Sequence, residues 1–333
     1  MVDLGSAEAD RVIPLHDGRL MTLRQYGDPA GVPVIALHGT PASRLMYSAA
    51  KSAGSFGLRL IAPDRWGYGG TTAHPHPTLA AFAADIARVA DTLGIARFAV
   101  LGVSGGGPYA SALGALLRDR VTALALVAPV GPIAGVAGVK LSPFHHFCFR
   151  MLPRMPGAVR VVFRGFKRGL DSSPDRAIRI AMVRSPAPDH RVMTHPEVRA
   201  RFSAMFAEGL RPGVEGALID MQIFNAPWRL PLQEISAPSA LWIGTADNNV
   251  PIDAACKLAA AIRGCELIEL KGEGHLWVAV NYDDVLGWIA EKQKGAVLKF
   301  SKCKRPENSM PSLSENELWR DNLIYKTRFC GRF

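Results

Sequence analysis

Ser104 lies in the pentapeptide Gly102-Val103-Ser104-Gly105-Gly106, which has the form G-x-S-x-G. The apolar run RFAVL leads directly into the pentapeptide, and the apolar helical stretch PYASALGALL follows it. A turn between a strand and a helix holds the serine in a strained conformation, and only neighbours as small as Gly102 and Gly106 let the backbones approach. This context predicts that Ser104 is an exposed nucleophile. The alternative is a glycine-rich turn without a chemical role.

A serine hydroxyl is a weak nucleophile, so it needs a general base, and the base needs an acidic residue to orient it. The candidate base is His275, in a loop just past the predicted strand CELIEL. The candidate acid is Asp247, which directly follows the apolar run ALWIGTA. Because both residues follow predicted strands, loops at one edge of a sheet can bring them to Ser104. The three residues form a candidate triad.

Other residues compete for the roles of base and acid. His74 and His76 lie in a proline-rich loop, and His145 and His146 lie far from any predicted strand end. We expect these four histidines to be surface or pocket residues. Asp220, in ALIDMQIF, is the second candidate acid, but no strand precedes it. Its expected role is to support the helical segment around it or to contact the substrate.

Apolar runs alternate with helical stretches at both ends of the chain. This alternation predicts an α/β fold, a mostly parallel twisted sheet with helices on both faces. Its first two strands, 11–15 and 19–26, are expected to form a hairpin, and Thr78 is the expected N-cap of the first helix. Further strands are predicted at 33–39, 58–64, 97–103, 121–129, 239–247 and 265–270, and helices at 79–93, 252–263 and 281–293.

The alternation of apolar runs and helical stretches stops in the middle of the chain and again near its end. Residues 133–236 are predicted to form several short helices broken at prolines, inserted as a cap into a core made of residues 1–132 and 237–293. Residues 294–333 show no sustained period, and we expect them to be a disordered basic tail without a catalytic role. The run 121–139 has about the length of a membrane span, but prolines and glycines interrupt it, so a buried strand is favoured over a span.

Composition narrows the class of protein. The 333 residues are 48% hydrophobic and 20% charged, which excludes a disordered chain. The net charge of +10 is concentrated in the cap (+7) and in residues 292–333 (+6), and the rest carries −3, so nucleic acid is not an expected partner. Five scattered cysteines without a C-x-x-C pair argue against disulfides and a zinc site. The N-terminus lacks a signal-peptide pattern, which predicts a cytoplasmic protein.

With these motifs, residues 11–293 resemble the α/β-hydrolase superfamily, whose triads follow the chain order Ser, Asp, His. His38-Gly39-Thr40-Pro41 is similar to the oxyanion loop of that family, and 63–69 is similar to its P-D-x-x-G-x-G turn. The resemblance implies that the backbone N–H groups of Thr40 and Gly105 form the oxyanion hole. His38 is expected to be buried and structural. Asp64 and Arg65 are expected to fix their turn, with Arg44 as an ion-pair partner.

The expected activity is hydrolysis of a carboxylic ester or related small acyl substrate by two-step acyl transfer, without a metal or organic cofactor. A peptidase and a carbon-carbon bond hydrolase of the same fold are alternatives. An epoxide hydrolase is disfavoured because its nucleophile is Asp in that superfamily. A non-catalytic ligand-binding or signalling protein is the alternative from another class.

One cap helix has a distinctive pattern. Its apolar residues fall on one helical face, and its basic residues are largely opposite. The apolar set is Val159, Val162, Phe163, Phe166 and Leu170, and the basic set is Arg160, Arg164, Lys167 and Arg168. The favoured interpretation is a lid helix with a solvated basic side. The alternative is a lid attracted to acidic substrates or to anionic surfaces, with weak contact and without stable membrane insertion.

Overall fold

The structure is a computed structural model that describes residues 9–302 of the chain, with side chains described through residue 294. Its centre is one eight-stranded sheet with the order β1-β2-β4-β3-β5-β6-β7-β8. The strands are β1 (Asp10–Pro14), β2 (Leu20–Gly27), β3 (Val32–Leu37), β4 (Leu58–Pro63), β5 (Phe98–Val103), β6 (Val121–Val127), β7 (Ser239–Gly244) and β8 (Glu266–Leu270). All eight correspond to predicted strands.

The sheet is parallel except at one edge. β2 pairs antiparallel with β1, as the predicted hairpin requires, and also antiparallel with β4. Every pairing from β4 to β8 is parallel. Every residue of the central strand β5 is buried, because helices cover both faces of a parallel sheet and its strands become continuous apolar runs. The predicted α/β fold is confirmed.

Ten α-helices surround this sheet or lie in the cap of residues 133–236. They are α1 (Leu79–Thr92), α2 (Gly107–Leu116), α3 (Pro143–His146), α4 (Pro156–Ser172), α5 (Pro174–Ala181), α6 (Ala187–Val192), α7 (Pro196–Gly209), α8 (Glu215–Asn225), α9 (Ile252–Ala261) and α10 (Tyr282–Lys302) in the described residues. Thr78 caps α1, since its hydroxyl accepts the N–H of Ala81 at 3.1 Å.

Alternate residues of each strand enter different apolar clusters. Ile35 and Leu37 of β3 belong to an apolar cluster that also contains residues of α1, α2 and α9, whereas Val34 and Ala36 belong to a second cluster with residues of α10 and the 3₁₀ segment Arg44–Ala49. This period-two alternation fixes the register of the sheet, because a slip of one residue would exchange the two faces. The carboxyl ends of the parallel strands are therefore held at one edge.

The cap lies between β6 and β7 and contains α3 to α8. Several of its helices begin at prolines, among them Pro156, Pro174 and Pro196. Proline fits there because the N–H groups of the first helical turn have no acceptor within the helix, so the missing N–H of proline costs no hydrogen bond. The prolines predicted to break helices thus also start the next ones. The cap has its own apolar cluster, which contains Val159, Leu170, Ile178 and Val198.

Two differences from the predictions concern α4 and α10. Val162, predicted on the packed face of α4, is 53% exposed, whereas Val159 and Leu170 are buried. Helix α10 continues to Lys302, beyond the predicted end at 293, and residues 303–333 of the predicted tail lie outside the described residues. The run that begins at Val121 forms the largely buried strand β6, so the prediction of a buried strand at this position is confirmed. Among residues 9–302, none of the helices combines the length and apolar character that a bilayer crossing requires.

Candidate active site

Ser104 follows β5 directly and opens the 3₁₀ turn Ser104–Gly106 that leads into α2. Its φ of 53° lies in the left-handed region, which residues other than glycine rarely adopt. The turn places the hydroxyl at the carboxyl end of β5 and beside the N-terminus of α2. The strand, turn and helix predicted around this serine are all present.

The two glycines that flank the serine have steric roles. A Cβ atom on Gly102 would lie 2.5 Å from the Cβ of Ala110 in α2. A Cβ atom on Gly106 would overlap the carbonyl oxygen of Leu37 in β3. Side chains at either position would therefore push the serine turn away from the neighbouring strand or helix.

Three strand ends bring the predicted triad residues together. His275 Nε2 lies 2.9 Å from Ser104 Oγ, and His275 Nδ1 lies 2.7 Å from Asp247 Oδ2. The Asp247 side chain is fully buried, and its Oδ1 accepts the backbone N–H groups of Asn249 at 2.8 Å and Val250 at 3.2 Å. The carboxylate is thus fixed on one side of the imidazole, and the hydroxyl lies on the other. This geometry can pass a proton from serine to histidine.

The electrostatic surroundings make His275 a stronger base than an ordinary histidine. Burial alone would lower its pKa, because a charged imidazolium is poorly solvated inside the protein. The charge and hydrogen bond of Asp247, together with the charge of Asp189, outweigh burial and raise the pKa above the ordinary 6.5. The imidazolium is therefore stabilised at the moment when it would form.

Asp189, in α6 of the cap, contacts the histidine loop and was missed by the sequence analysis. Its carboxylate is buried and accepts the backbone N–H groups of His275 at 3.2 Å and Leu276 at 2.8 Å. Burial raises the pKa of Asp189, and these hydrogen bonds oppose that increase. No local signal marks this residue, since it follows no strand and lies 86 residues before His275. The contact depends on how the cap packs on the core.

The predicted oxyanion loop lies against the serine turn. A Cβ atom on Gly39 would lie 3.6 Å from Ser104 Oγ, and one on Gly105 would overlap the hydroxyl of Thr40. Thr40 and Gly105, the residues implied by the resemblance to supply the backbone donors, are therefore neighbours beside the serine. Both residues line the same cavity as Ser104 and His275.

Asp220, the second candidate acid, serves a different cluster from the imidazole. In α8, its buried carboxylate pairs with the guanidinium of Arg65 and accepts the Thr40 hydroxyl. It also accepts the hydroxyls of Tyr68 and Tyr109, each at 2.7 Å. Asp220 thus connects the cap to the oxyanion loop, in agreement with its expected supporting role.

The neighbouring charged and ring groups are structural, as expected. His38 is buried, its Nδ1 lies 2.8 Å from the carbonyl oxygen of Gly39, and its Nε2 accepts the backbone N–H of Arg65 at 2.9 Å. Burial, aided by the charge of Arg65, lowers the pKa of His38 well below its ordinary value, so the ring is neutral. Arg44 Nη1 lies 2.6 Å from Asp64 Oδ2 in a buried ion pair.

A cavity of about 310 Å³ opens above the serine and histidine. Its walls come mainly from apolar residues of the core and the cap. They include Met46, Val130, Phe149, Met205, Phe224 and Val278. The lining residues in the described part of the chain include no carboxylate.

Nowhere in residues 9–302 do three or more His, Cys, Asp or Glu side chains form a group that could hold a metal ion.

Comparisons with known proteins agree with this architecture. A family model for the alpha/beta hydrolase fold matches residues 32–281. A comparison with curated protein sequences gave no match.

Solved structures of three hydrolytic types share the fold. A thermophilic esterase from Thermogutta terrifontis is 24% identical, with a TM-score of 0.63, 86% of this chain covered and 98% of that chain covered. The enol-lactonase from Burkholderia xenovorans LB400 is 22% identical, with a TM-score of 0.62 and coverages of 85% and 100%. Epoxide hydrolase A from Mycobacterium thermoresistibile is 22% identical, with a TM-score of 0.65 and coverages of 86% and 98%.

These three proteins are named for different reactions, so their likeness defines the architecture and leaves the substrate to the site itself. The family match covers the six strands β3 to β8, the serine turn, the cap and the histidine loop. The resemblance seen in the sequence is confirmed: the chain belongs to the alpha/beta hydrolase fold family.

Proposed function

We propose that this hydrolase cleaves carboxylic esters through a triad of Ser104, His275 and Asp247 and an acyl-enzyme intermediate. The observation that carries the proposal is the continuous pair of hydrogen bonds from the Ser104 hydroxyl through the imidazole to the buried Asp247 carboxylate. In this arrangement Ser104 supplies the nucleophile, His275 transfers the proton, and Asp247 orients the imidazole.

In the first half of the reaction, Ser104 Oγ attacks the ester carbonyl carbon while His275 Nε2 accepts the hydroxyl proton. Asp247 keeps the other ring proton on Nδ1 and stabilises the imidazolium. The backbone N–H groups of Thr40 and Gly105 are proposed to bind the negative charge that develops on the carbonyl oxygen. His275 then donates its proton to the departing alcohol, which leaves the acyl group on the serine.

In the second half, water replaces the alcohol. His275 removes a proton from this water as the water oxygen attacks the acyl carbon, and it returns that proton to Ser104 when the acid product leaves. The mostly apolar walls of the cavity keep bulk water away from the developing charges, which strengthens the interactions that stabilise them.

The cavity and the identity of the nucleophile support an ester over a peptidase and over an epoxide. A peptidase that recognises a free α-amino group needs an anionic partner for that group, and the described residues that line the cavity include no carboxylate. Epoxide opening by this fold uses an Asp nucleophile, whereas the turn here holds Ser104. A binding protein without catalysis has no need for an oriented base beside a strained serine.

Kinetics of purified variants on short p-nitrophenyl esters test this proposal. We expect Ser104→Ala, His275→Ala and Asp247→Asn each to lower kcat by roughly 10⁴-fold or more, because each removes a member of one cooperating unit. Ser111→Ala is the matched control, since the Ser111 hydroxyl in α2 bonds the carbonyl oxygen of Gly107 at 2.8 Å. Turnover by Ser104→Ala or His275→Ala at the wild-type rate would overturn the assignment.

A further inference from the structure

A second cavity lies between the cap and loops of the core. It has a volume of about 510 Å³ and is lined mainly by residues of α4, α5 and α7. The wall between the two cavities is formed by residues that line both of them. These are Thr40, Pro41, Phe163, Phe202, Phe206, Asn249 and Leu276. The second cavity is therefore a direct neighbour of the site that holds Ser104.

The second cavity is suited to an uncharged ligand. Among the residues that the structure describes, those that line it include no ionisable side chain, and its polar residues are Thr40, Ser185 and Asn249. Aromatic and aliphatic side chains make up most of the remainder, with Ile178 and Met193 buried. A charged group placed here would lose its hydration without gaining a partner, whereas a hydrocarbon chain would gain by leaving water.

The outer end of the second cavity is open to solvent. Val162 of α4 and Ile180 of α5 line the cavity, yet they are 53% and 64% exposed. Val162 was predicted to lie on the packed face of α4. It is exposed instead because it borders the opening of this cavity. The cavity thus runs from an apolar opening in the cap towards the wall it shares with the catalytic cavity.

We propose that the second cavity binds the distal part of a long, uncharged hydrocarbon chain whose ester group lies at Ser104. This inference rests on the proposed function for the position of the ester. A short chain fits within the first cavity, and a longer chain passes the side chains of Phe163, Phe202 and Phe206 into the second. Each methylene buried there strengthens binding by about fourfold, which corresponds to about 0.8 kcal/mol.

Gly165 provides a way to block the second cavity without disturbing the first. It lines the cavity in α4, and a Cβ atom there would meet no atom within 4 Å. Because Gly165 is exposed and lines the cavity, Gly165→Leu is expected to place its side chain across the open side of the cavity, and it also favours the helix. Gly157→Leu is the matched control, since Gly157 lies in the same helix, also has no atom within 4 Å of an added Cβ, and lines neither cavity. Ala181→Leu, on α5, is a second blocking variant.

The hydrolysis experiment compares these variants on two ester series below their critical micelle concentrations. One series lengthens the acyl chain from acetate to dodecanoate with p-nitrophenol as the alcohol, and the other lengthens the alcohol of alkyl acetates. We expect Gly165→Leu to lower kcat/KM at least tenfold for the longest members of one series and less than twofold for the shortest. The affected series shows which side of the ester occupies the cavity. Equal values for Gly165→Leu, Ala181→Leu and Gly157→Leu in both series would overturn the inference.

A binding experiment separates this inference from the proposed chemistry. The uncharged ketone 2-dodecanone cannot be hydrolysed, and its affinity is measured by isothermal titration with 2-butanone as the short comparison. We expect Gly165→Leu to weaken 2-dodecanone at least tenfold and Gly157→Leu to leave it unchanged. Suppose that wild type binds 2-dodecanone, that only Gly165→Leu weakens this binding, and that wild type hydrolyses no ester. The second cavity would then be a hydrocarbon-binding site, and the proposed function would be wrong. Equal affinities in both variants would refute the hydrocarbon-binding site.

Discussion

Asp189 shows how a single cap residue can act on the triad through the backbone of the histidine loop. It accepts two consecutive N–H groups, from His275 and Leu276, and its negative charge contributes to the raised pKa of the imidazole. It touches neither the serine nor the cavity that holds it, so it is a positioning residue. Its effect should therefore appear in the pH dependence of the reaction as well as in the rate.

Asp189→Asn is predicted to move the acid limb of the pH profile to lower pH. The general base must be neutral, so activity falls as the pH decreases through the pKa of His275. Removing the Asp189 charge destabilises the imidazolium and lowers that pKa, so the variant keeps more of its maximal activity in acid than wild type does. We expect kcat/KM at its maximum to fall about tenfold, because the amide offers one acceptor for two N–H groups.

The measurement is kcat/KM for a short ester from pH 5 to 9. Asp175→Asn, a charge-removing change at an exposed position of α5, is the control and should leave the profile in place. An acid limb that stays at the wild-type position in Asp189→Asn would show that the carboxylate does not influence His275.

At the scale of elements, helix α8 connects the cap to the core through one buried charge. Asp220 pairs with Arg65. It also accepts hydrogen bonds from hydroxyl groups in the oxyanion loop, at residue 68 and in α2. Guanidinium Nη2 of Arg65 donates to the carbonyl oxygen of Gly39 at 2.9 Å. The position of the oxyanion loop therefore depends on a helix that is distant in sequence.

Asp220→Asn is predicted to lower the free energy of unfolding by about 3 to 5 kcal/mol, because it leaves the Arg65 charge buried without its partner. Asp171→Asn is the matched control. Its partner Lys167 lies 2.9 Å away at an exposed site, where the loss is expected to be below about 1 kcal/mol. Urea unfolding of both variants measures the difference. A loss for Asp220→Asn no larger than for the control would contradict a structural role for this carboxylate.

The surface of α4 shows how far a helical pattern alone can be interpreted. The spacing identified the helix and two of its buried residues, Val159 and Leu170, but it could not show that a cavity would leave Val162 open to solvent. Two of its basic residues have acidic partners, Arg160 with Glu215 at 3.5 Å and Lys167 with Asp171 at 2.9 Å. Contact of the cap with anionic surfaces stays a prediction.

At the scale of the whole molecule, local signals predicted the sheet and the placement of Ser104, Asp247 and His275. These signals are local because each strand is an apolar run and each of these residues follows a strand end. The contacts of Asp189 and Asp220 with the core arise from packing between distant segments, so no local pattern marks them. The same holds for the second cavity, which lies between α4, α5, α7 and loops of the core that are distant in sequence.

The proposed hydrolysis depends on an activated serine at the carboxyl edge of the sheet. The most direct test is rapid quenching of the enzyme during turnover of a p-nitrophenyl ester, followed by mass spectrometry of its peptides. We predict an acyl group on the peptide that contains Ser104, absent in Ser104→Ala and strongly reduced in His275→Ala. Ester turnover by the wild-type protein with no acyl group on Ser104, or with the acyl group on another residue, would contradict the account.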